Sequence, residues 1–409
     1  MNPAGANGKK GRLFGTLPKN IVSLGWVSFF TDVSSEIIYP LLPIFLISLL
    51  GVGTTFLGLI EGIAEATASL LKLLSGWVSD RIRKRKALIV IGYSLSTAAR
   101  PLVAAAMAVW HVLIVRFLDR LGKGIRTSPS DALVADSVPR EEAGKAFGFQ
   151  RSMDHAGAVA GPLLAFLFLT YFSSDIRLLF WLAAVPGVIA VLILIFRVRE
   201  TKETPPQPGP QAVRLTLKPF SRNFKAFLFS VFLFTLGNSS DAFLILKARE
   251  AGIAVSLIPI LWLFFHFVKS LAAIPGGILS DILGRKKTIL SGWLLYSFVY
   301  LGFAAADEAW MIWALFGVYG VFFGLTEGGE RALVADLVGS EWRGTAYGLY
   351  NFFIGIGALP ASLIMGFLWE RFNPQAAFLF GAFFALAAAF LLGLLVREPE
   401  KARPAELMP

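Results

Sequence analysis

Long apolar runs, separated by short charged or Gly/Pro-rich stretches, set the pattern of this chain. The runs 178–196 and 376–396 contain no Asp, Glu, Lys or Arg. At 1.5 Å per residue a helix of about 20 residues crosses roughly 30 Å of hydrocarbon, so each such run reads as a membrane span. Applied along the chain, the pattern predicts twelve helices. The first six are 20–48, 55–80, 87–109, 111–135, 145–171 and 177–197; the second six are 223–247, 255–280, 288–306, 309–335, 344–370 and 375–396. Between the sixth and seventh lies Glu200-Thr-Lys-Glu-Thr-Pro-Pro-Gln-Pro-Gly-Pro, too polar and too Pro-rich for a span, and therefore a linker.

Composition sharpens this to an all-α membrane protein. Of 409 residues 56% are hydrophobic and 16% charged, with mean hydropathy +0.67. A soluble domain carries about a quarter charged residues, so a soluble enzyme is excluded. With no cysteine there is no disulfide framework, thiolate nucleophile or Cys metal site. Three histidines without paired spacing give no metal centre, and no cofactor motif is present. The net charge of +11 would suggest nucleic acid in a soluble chain, but here loop positions account for it. Lys and Arg concentrate in the N-terminal tail, Arg81–Lys86, Arg140, Lys145, the linker, Arg285–Lys287, Arg343 and the C-terminal tail. The opposite ends hold only Arg177, Lys247, Arg249 and Arg371. By the positive-inside rule both termini and the linker are cytoplasmic, with no nucleic-acid partner. The first apolar segment carries Asp32 and Glu36 and lacks a small-residue cleavage site, so it is read as a retained helix.

The chain also repeats itself. Ala132-Leu-Val-Ala-Asp136-Ser-Val returns as Ala332-Leu-Val-Ala-Asp336-Leu-Val, and Gly76-Trp-Val-Ser-Asp80 as Gly277-Ile-Leu-Ser-Asp281. Ser34-Ser35-Glu36 meets Ser239-Ser240-Asp241. Two six-helix halves of the same direction form a parallel repeat about an axis along the membrane normal. The predicted division is a tail 1–19, a bundle 20–198, a linker 199–222, a bundle 223–397 and a tail 398–409.

On these features the chain resembles the major facilitator superfamily of secondary transporters, over residues 20–396. The loop after the second helix of each half resembles the family's Gly-x-x-x-Asp-Arg/Lys-x-Gly-Arg-Arg/Lys pattern. The second copy is Gly277, Asp281, Gly284 and Arg285, with Ile282 at the basic position; the first is Gly76, Asp80, Arg81 and Arg85, with Arg83 in place of the glycine. The resemblance implies two pseudo-symmetric six-helix bundles, in which these residues form a conformational gate that latches the halves on the cytoplasmic side. It also implies a proton role for a fourth-helix arginine, here Arg116. The fourth helix lacks the family's Gln-Gly pair. The fifth offers only Gly157-Ala-Val-Ala-Gly161-Pro162 in place of the longer glycine run of drug antiporters.

Ionisable groups at bilayer depth are costly and normally face a cavity or one another. Arg116, Arg120 and Lys123 share one helical face, with Asp119 beside them. Asp32 and Glu36 stack at i, i+4 in the first span, and Asp154, His155, Asp241, His266 and Lys269 lie in the fifth, seventh and eighth. These eleven residues are the candidate proton-coupling and substrate cavity. A carboxylate removed from water titrates nearer neutrality, as coupling to a proton gradient requires. Glu36 and Asp241 stand first, since the resemblance implies that spans one and seven line the central cavity. The competing readings are a structural ion pair of Asp32 or Glu36 with Arg116 or Arg120, and a solvated rim for Glu61 and Glu65. Asp136, Asp336, Arg140 and Arg343 read as helix-end gates or caps. Gly122, Gly124, Gly324, Gly328 and Gly329 read as a thin face for close helix contact. The expected function is alternating-access transport of a small organic solute, proton-coupled and leaning to efflux by antiport. The chain is expected to be a monomer in a bacterial inner membrane, with protons, the solute and the bilayer as its partners. The alternatives are an anion or organophosphate exchanger, or an uptake symporter, using Arg116, Arg120 and Lys123, and a receptor that kept the fold without transport.

Overall fold

The computed structural model describes residues 17–82, 84–138, 143–200, 217–339 and 342–397, and among them there is no strand. The first half contains α1 (Lys19–Leu49), α2 (Thr54–Ile82), α3 (Arg85–Ala99, extended by the 3-10 turn Arg100–Val103), α4 (Val109–Asp136), α5 (Ala143–Tyr171) and α6 (Ile176–Arg197). The second contains α7 (Arg222–Glu250), α8 (Val255–Leu283), α9 (Arg285–Ala305), α10 (Ala309–Asp336), α11 (Arg343–Arg371) and α12 (Pro374–Leu395). Ten helices among the described residues are long and apolar enough to cross a membrane. The other two are α3, which ends early at Pro101, and α4, which carries Arg116, Asp119, Arg120, Lys123 and Arg126.

Packing repeats between the halves. In the first, α1 packs on α5 and α6, α2 on α4, and α3 on α4 and α6; raising each number by six gives the neighbours of the second half. The sets meet along two related seams, α2 against α11 and α5 against α8. Side chains repeat the relation. Asn20 donates to the Arg199 carbonyl at 3.1 Å and accepts from its N–H at 2.9 Å, pinning the chain past α6. Asn223 does the same to Arg397 past α12, at 2.6 and 2.7 Å. Gly51 and Gly252, with φ of 63° and 88°, make the matching turns after α1 and α7. Gly284, at φ 101°, turns α8 into α9, a conformation that L side chains resist. Arg83, at the corresponding place in the first half, lies outside the described residues.

Small residues set the close approaches. A Cβ on Gly122 would lie 2.5 Å from the Gly92 carbonyl oxygen, and one on Gly276 2.0 Å from that of Gly324. The expected thin face is therefore real on α4 but incomplete on α10, because Gly328 has nothing within 4 Å of a Cβ position. Gly277 likewise faces open space, so it is not a packing glycine in this conformation. The second half holds an aromatic core, with Trp293, Tyr296, Tyr300, Tyr319, Phe303 and Phe316 fully buried. Phe234 stacks on Trp293 at 4.6 Å and Tyr296 on Tyr300 at 4.2 Å, a rigid backing for the cavity wall.

Three helices are broken at depth. The backbone of α1 tightens to a 3-10 turn at Tyr39–Leu41 and widens to a π-turn at Phe45–Leu49. α6 is interrupted at Ala183, whose carbonyl accepts from Ser34 Oγ at 2.8 Å. α7 stops at Gly237 and resumes at Ala242. Tyr296 Oη donates to the Gly237 carbonyl at 3.0 Å, and Ser362 Oγ accepts from the Ser240 N–H at 3.2 Å. Irregular backbone survives in hydrocarbon only where protein groups meet its hydrogen bonds in this way.

Candidate functional site

Between the two sets of helices lies a cavity of about 870 Å³. Asp32 and Glu36 of α1, Arg116, Asp119, Arg120 and Lys123 of α4, Asp154 and His155 of α5, and His266 and Lys269 of α8 all line it. Asp241 is the one member of the candidate set that does not. It sits at the break in α7, where its carboxylate accepts from Tyr319 Oη at 2.6 Å. A smaller recess of about 480 Å³ between α1, α5 and α6 is lined by apolar side chains alone, and offers nothing to orient a polar solute.

The cavity is closed at one end. Along α2 and α11, Thr54 Oγ1 donates to the Gly366 carbonyl at 3.0 Å and the Thr55 N–H to Glu370 at 2.9 Å. Cβ atoms on Gly58 and Gly62 would lie 2.1 and 2.9 Å from the α11 backbone at Ser362 and Leu359. Between α1 and α8, Tyr39 meets Trp262 with ring centres 5.2 Å apart. Towards the opposite end, where the basic loops emerge, the lining reaches Asp131, Arg151 and Arg331. At 1.5 Å per residue these lie within roughly 12 Å of their helix ends.

The charges inside are mostly matched, in a register that two i, i+4 pairs create. Glu61 and Glu65 of α2 face Arg116 and Arg120 of α4. Arg116 Nη2 donates to both Glu61 oxygens, at 2.7 and 2.8 Å, and its Nε adds a bond of 3.1 Å. Glu61 is 2% exposed, so the solvated-rim reading fails for it: its face of α2 turns inward onto α4. Arg120 lies 3.7 Å from Glu65. Asp119 accepts from Arg100 Nε at 2.9 Å, while Arg100 also donates to the Thr31 carbonyl at 3.0 Å. Lys269 pairs with Glu327 at 3.2 Å and sits over the Phe323 ring at 4.2 Å.

The acids of α1 are not the partners of Arg116 or Arg120. Glu36 accepts from the indole N–H of Trp262 at 2.8 Å, a hydrogen bond that crosses from one half to the other. Asp32 has no ion pair among the described residues, although the charges of Asp154, Glu36, Lys123 and Arg126 all act on it. Further cavity residues escaped the sequence reading, Arg100 and Arg126 among them. Arg100 fell inside a predicted span, and its charge at that depth was the signal. Arg126 continues the spacing of Arg116, Arg120 and Lys123; its Nη1 donates to Ser96 Oγ at 2.9 Å and its guanidinium lies 4.2 Å from the Tyr93 ring centre. No group of three His, Cys, Asp or Glu that could hold a metal ion occurs among the described residues.

The loop motif repeated in the two halves lies at the basic end. Arg85 pairs with Asp136 and donates to the Ala132 carbonyl at 3.0 Å. Arg285 pairs with Asp281 and lies 3.5 Å from Asp336. Asp136 and Asp336, read from sequence as caps or gates, are thus ion-pair partners of the motif arginines, one in each half. The surroundings of Gly76 and the side chains of Asp80, Arg81, Arg140 and Arg343 lie outside what the structure describes.

Known proteins match this architecture along most of the chain. The sequence profile of the Major Facilitator Superfamily matches residues 24–264 and, in a second match, 227–408. An uncharacterized MFS-type transporter of Methanocaldococcus jannaschii is 38% identical over 92% of this chain and 94% of its own length. The multidrug resistance protein MdtG of Enterobacter lignolyticus is 22% identical over 93% of each chain. The crystal structure of a point mutant of the nucleoside transporter NupG superposes with a TM-score of 0.80 at 14% identity, over 92% of this chain and all of that one. At that identity the likeness establishes the fold alone.

Proposed function

Because the chain belongs to the major facilitator superfamily, we propose that it moves a small organic solute across the membrane by alternating access, coupled to protons, with export by antiport the favoured direction. The observation that carries this reading is the cavity. It is shared by both halves, closed along α2–α11 at one end, extended towards the basic loops at the other, and lined with ionisable groups on helices from both halves. In this reading α3 and α4 span the bilayer beside the ten more apolar helices. Both termini are cytoplasmic, the cavity faces the cytoplasm, and a single chain in the plasma membrane suffices, since its own two halves complete the site. Export is supported by the name of one relative, a multidrug resistance protein.

Proton coupling falls to Glu36. As a carboxylate it holds the Trp262 N–H with a charge-assisted hydrogen bond between the halves. Protonation weakens that bond and frees α1 from α8, so proton binding and the change of access are one event. The anion-exchanger alternative loses most of its binding face, because Arg116 and Arg120 already hold Glu61 and Glu65. The test is flux of a transported solute in proteoliposomes under an imposed pH gradient. Glu36→Gln is expected to abolish the acceleration by the gradient while leaving downhill exchange of solute. If flux in the unaltered protein is indifferent to the gradient, or if Glu36→Gln still responds to it, the coupling assignment is wrong.

A further inference from the structure

Once the ion pairs are set aside, the first-half side of the cavity keeps an acidic wall and a basic wall. The acidic wall is on α1 and α5. A Cβ on Gly157 of α5 would lie 2.9 Å from Asp32 Cβ, so Asp154, one turn before Gly157, stands beside Asp32. The one ion pair of Asp154 among the described residues is with Arg151, at 3.5 Å, and the Arg151 side chain is 64% exposed, so that pair is weak. The basic wall is on α4, where among the described residues Lys123 has no carboxylate within ion-pair distance and Arg126 is held by a serine hydroxyl and a tyrosine ring, with no ion pair. Both line the cavity.

Two acids and two bases thus face the same space with no ion pair between them among the described residues. A solute of one charge would satisfy one wall and leave the other to be desolvated unmatched, which is costly in a closed cavity. The walls also carry polar side chains. Thr31, Arg120, Ser130 and His266 each have a buried side-chain atom without a hydrogen-bond partner, and all four residues line this cavity. Trp262 and Phe323 add aromatic surface from the second half.

We propose that the transported solute is a zwitterion, with its cationic group held between Asp32 and Asp154 and its anionic group at Lys123 and Arg126. The assignment rests on the transport reading and names its substrate class. A cavity of about 870 Å³ admits a solute of amino-acid or dipeptide size. The test is the thermal stability of the detergent-purified full chain against matched ligands. Phenylalanine, alanyl-phenylalanine and glycine betaine carry both charges; phenethylamine and 3-phenylpropionate carry one each. The expected result is stabilisation by at least one zwitterion, with the one-charge analogues at least about tenfold weaker, the cost of one unpaired buried charge. In Asp32→Asn/Asp154→Asn the cationic group should cease to matter, so that 3-phenylpropionate approaches the zwitterion; in Lys123→Gln/Arg126→Gln the same should hold for phenethylamine. A one-charge ligand that stabilises the unaltered protein as well as any zwitterion overturns the proposal, and so does a set in which no zwitterion stabilises it. Failure of the transport reading would show differently, as zwitterion binding without flux into liposomes.

Discussion

Arg116→Leu is expected to lower the unfolding free energy by about 3–5 kcal/mol, the cost of leaving one member of a buried ion pair without its partner. The stranded member would be Glu61, buried to 2% exposure and held by three hydrogen bonds from Arg116 alone. Its other neighbour, Ser240 Oγ at 3.5 Å, belongs to the second half and is too distant to compensate. Denaturant titration of the purified protein in detergent measures the loss. The double variant Glu61→Gln/Arg116→Leu should recover most of it, because a neutral amide is far cheaper to bury than a carboxylate. An Arg116→Leu protein as stable as the original would mean that the pair is not the anchor of α2 on α4.

Gly58→Val is expected to act on conformation instead. A Cβ at position 58 lies 2.1 Å from the Ser362 carbonyl oxygen, and backbone cannot yield as a flexible side chain can. Overpacking of this kind costs about 1–3 kcal/mol. It is borne only while the α2–α11 seam is shut, so it shifts the balance of the two access states by about 5–150-fold towards opening at that end. Spin labels on Phe56→Cys and Phe367→Cys, both on exposed positions near the seam, report the change as a longer distance. An unaltered distance distribution would show that this seam is not the moving gate.

The two predictions also mark how far the sequence could be read. Helix positions and the two-fold repeat were legible because a span has one dominant requirement, apolar length, and because Asp136 and Asp336 carry the same words around them. Breaks within helices were less so. Nothing local distinguishes Asn238-Ser239-Ser240-Asp241 from a polar turn of continuous helix; the break exists because Tyr296 and Ser362, remote in sequence, supply the hydrogen bonds. The membership of the cavity was legible from depth and charge, since a charged group in hydrocarbon has few places to go. The pairing within it was not. Which acid meets which base depends on how α2 is rotated against α4, and that rotation is set by contacts such as Gly124 on Leu71 and Ser75 Oγ on the Gly124 carbonyl. Glu61 therefore lies against α4 and not at a wet rim, Arg116 is held by Glu61, and Glu36 finds an indole partner in the other half. Asp241, a first choice alongside Glu36, sits at the break in α7 with its carboxylate held by Tyr319, whereas Glu36 lies in a continuous stretch of α1.

Alternating access about this cavity is most directly tested by a single thiol inside it. The chain has no cysteine, so Ser35→Cys places one reactive group in the cavity between Asp32 and Glu36. A membrane-impermeant maleimide is applied to sealed vesicles of each orientation, with and without a cross-link joining Thr55→Cys to Glu370→Cys across the closed seam; the cross-link is made before Ser35→Cys is exposed to the label. The account predicts labelling from both faces of the membrane in the free protein, and from the face of the basic loops alone once the seam is tied. Labelling confined to one face in the free protein, or labelling from the opposite face that survives the cross-link, would contradict it.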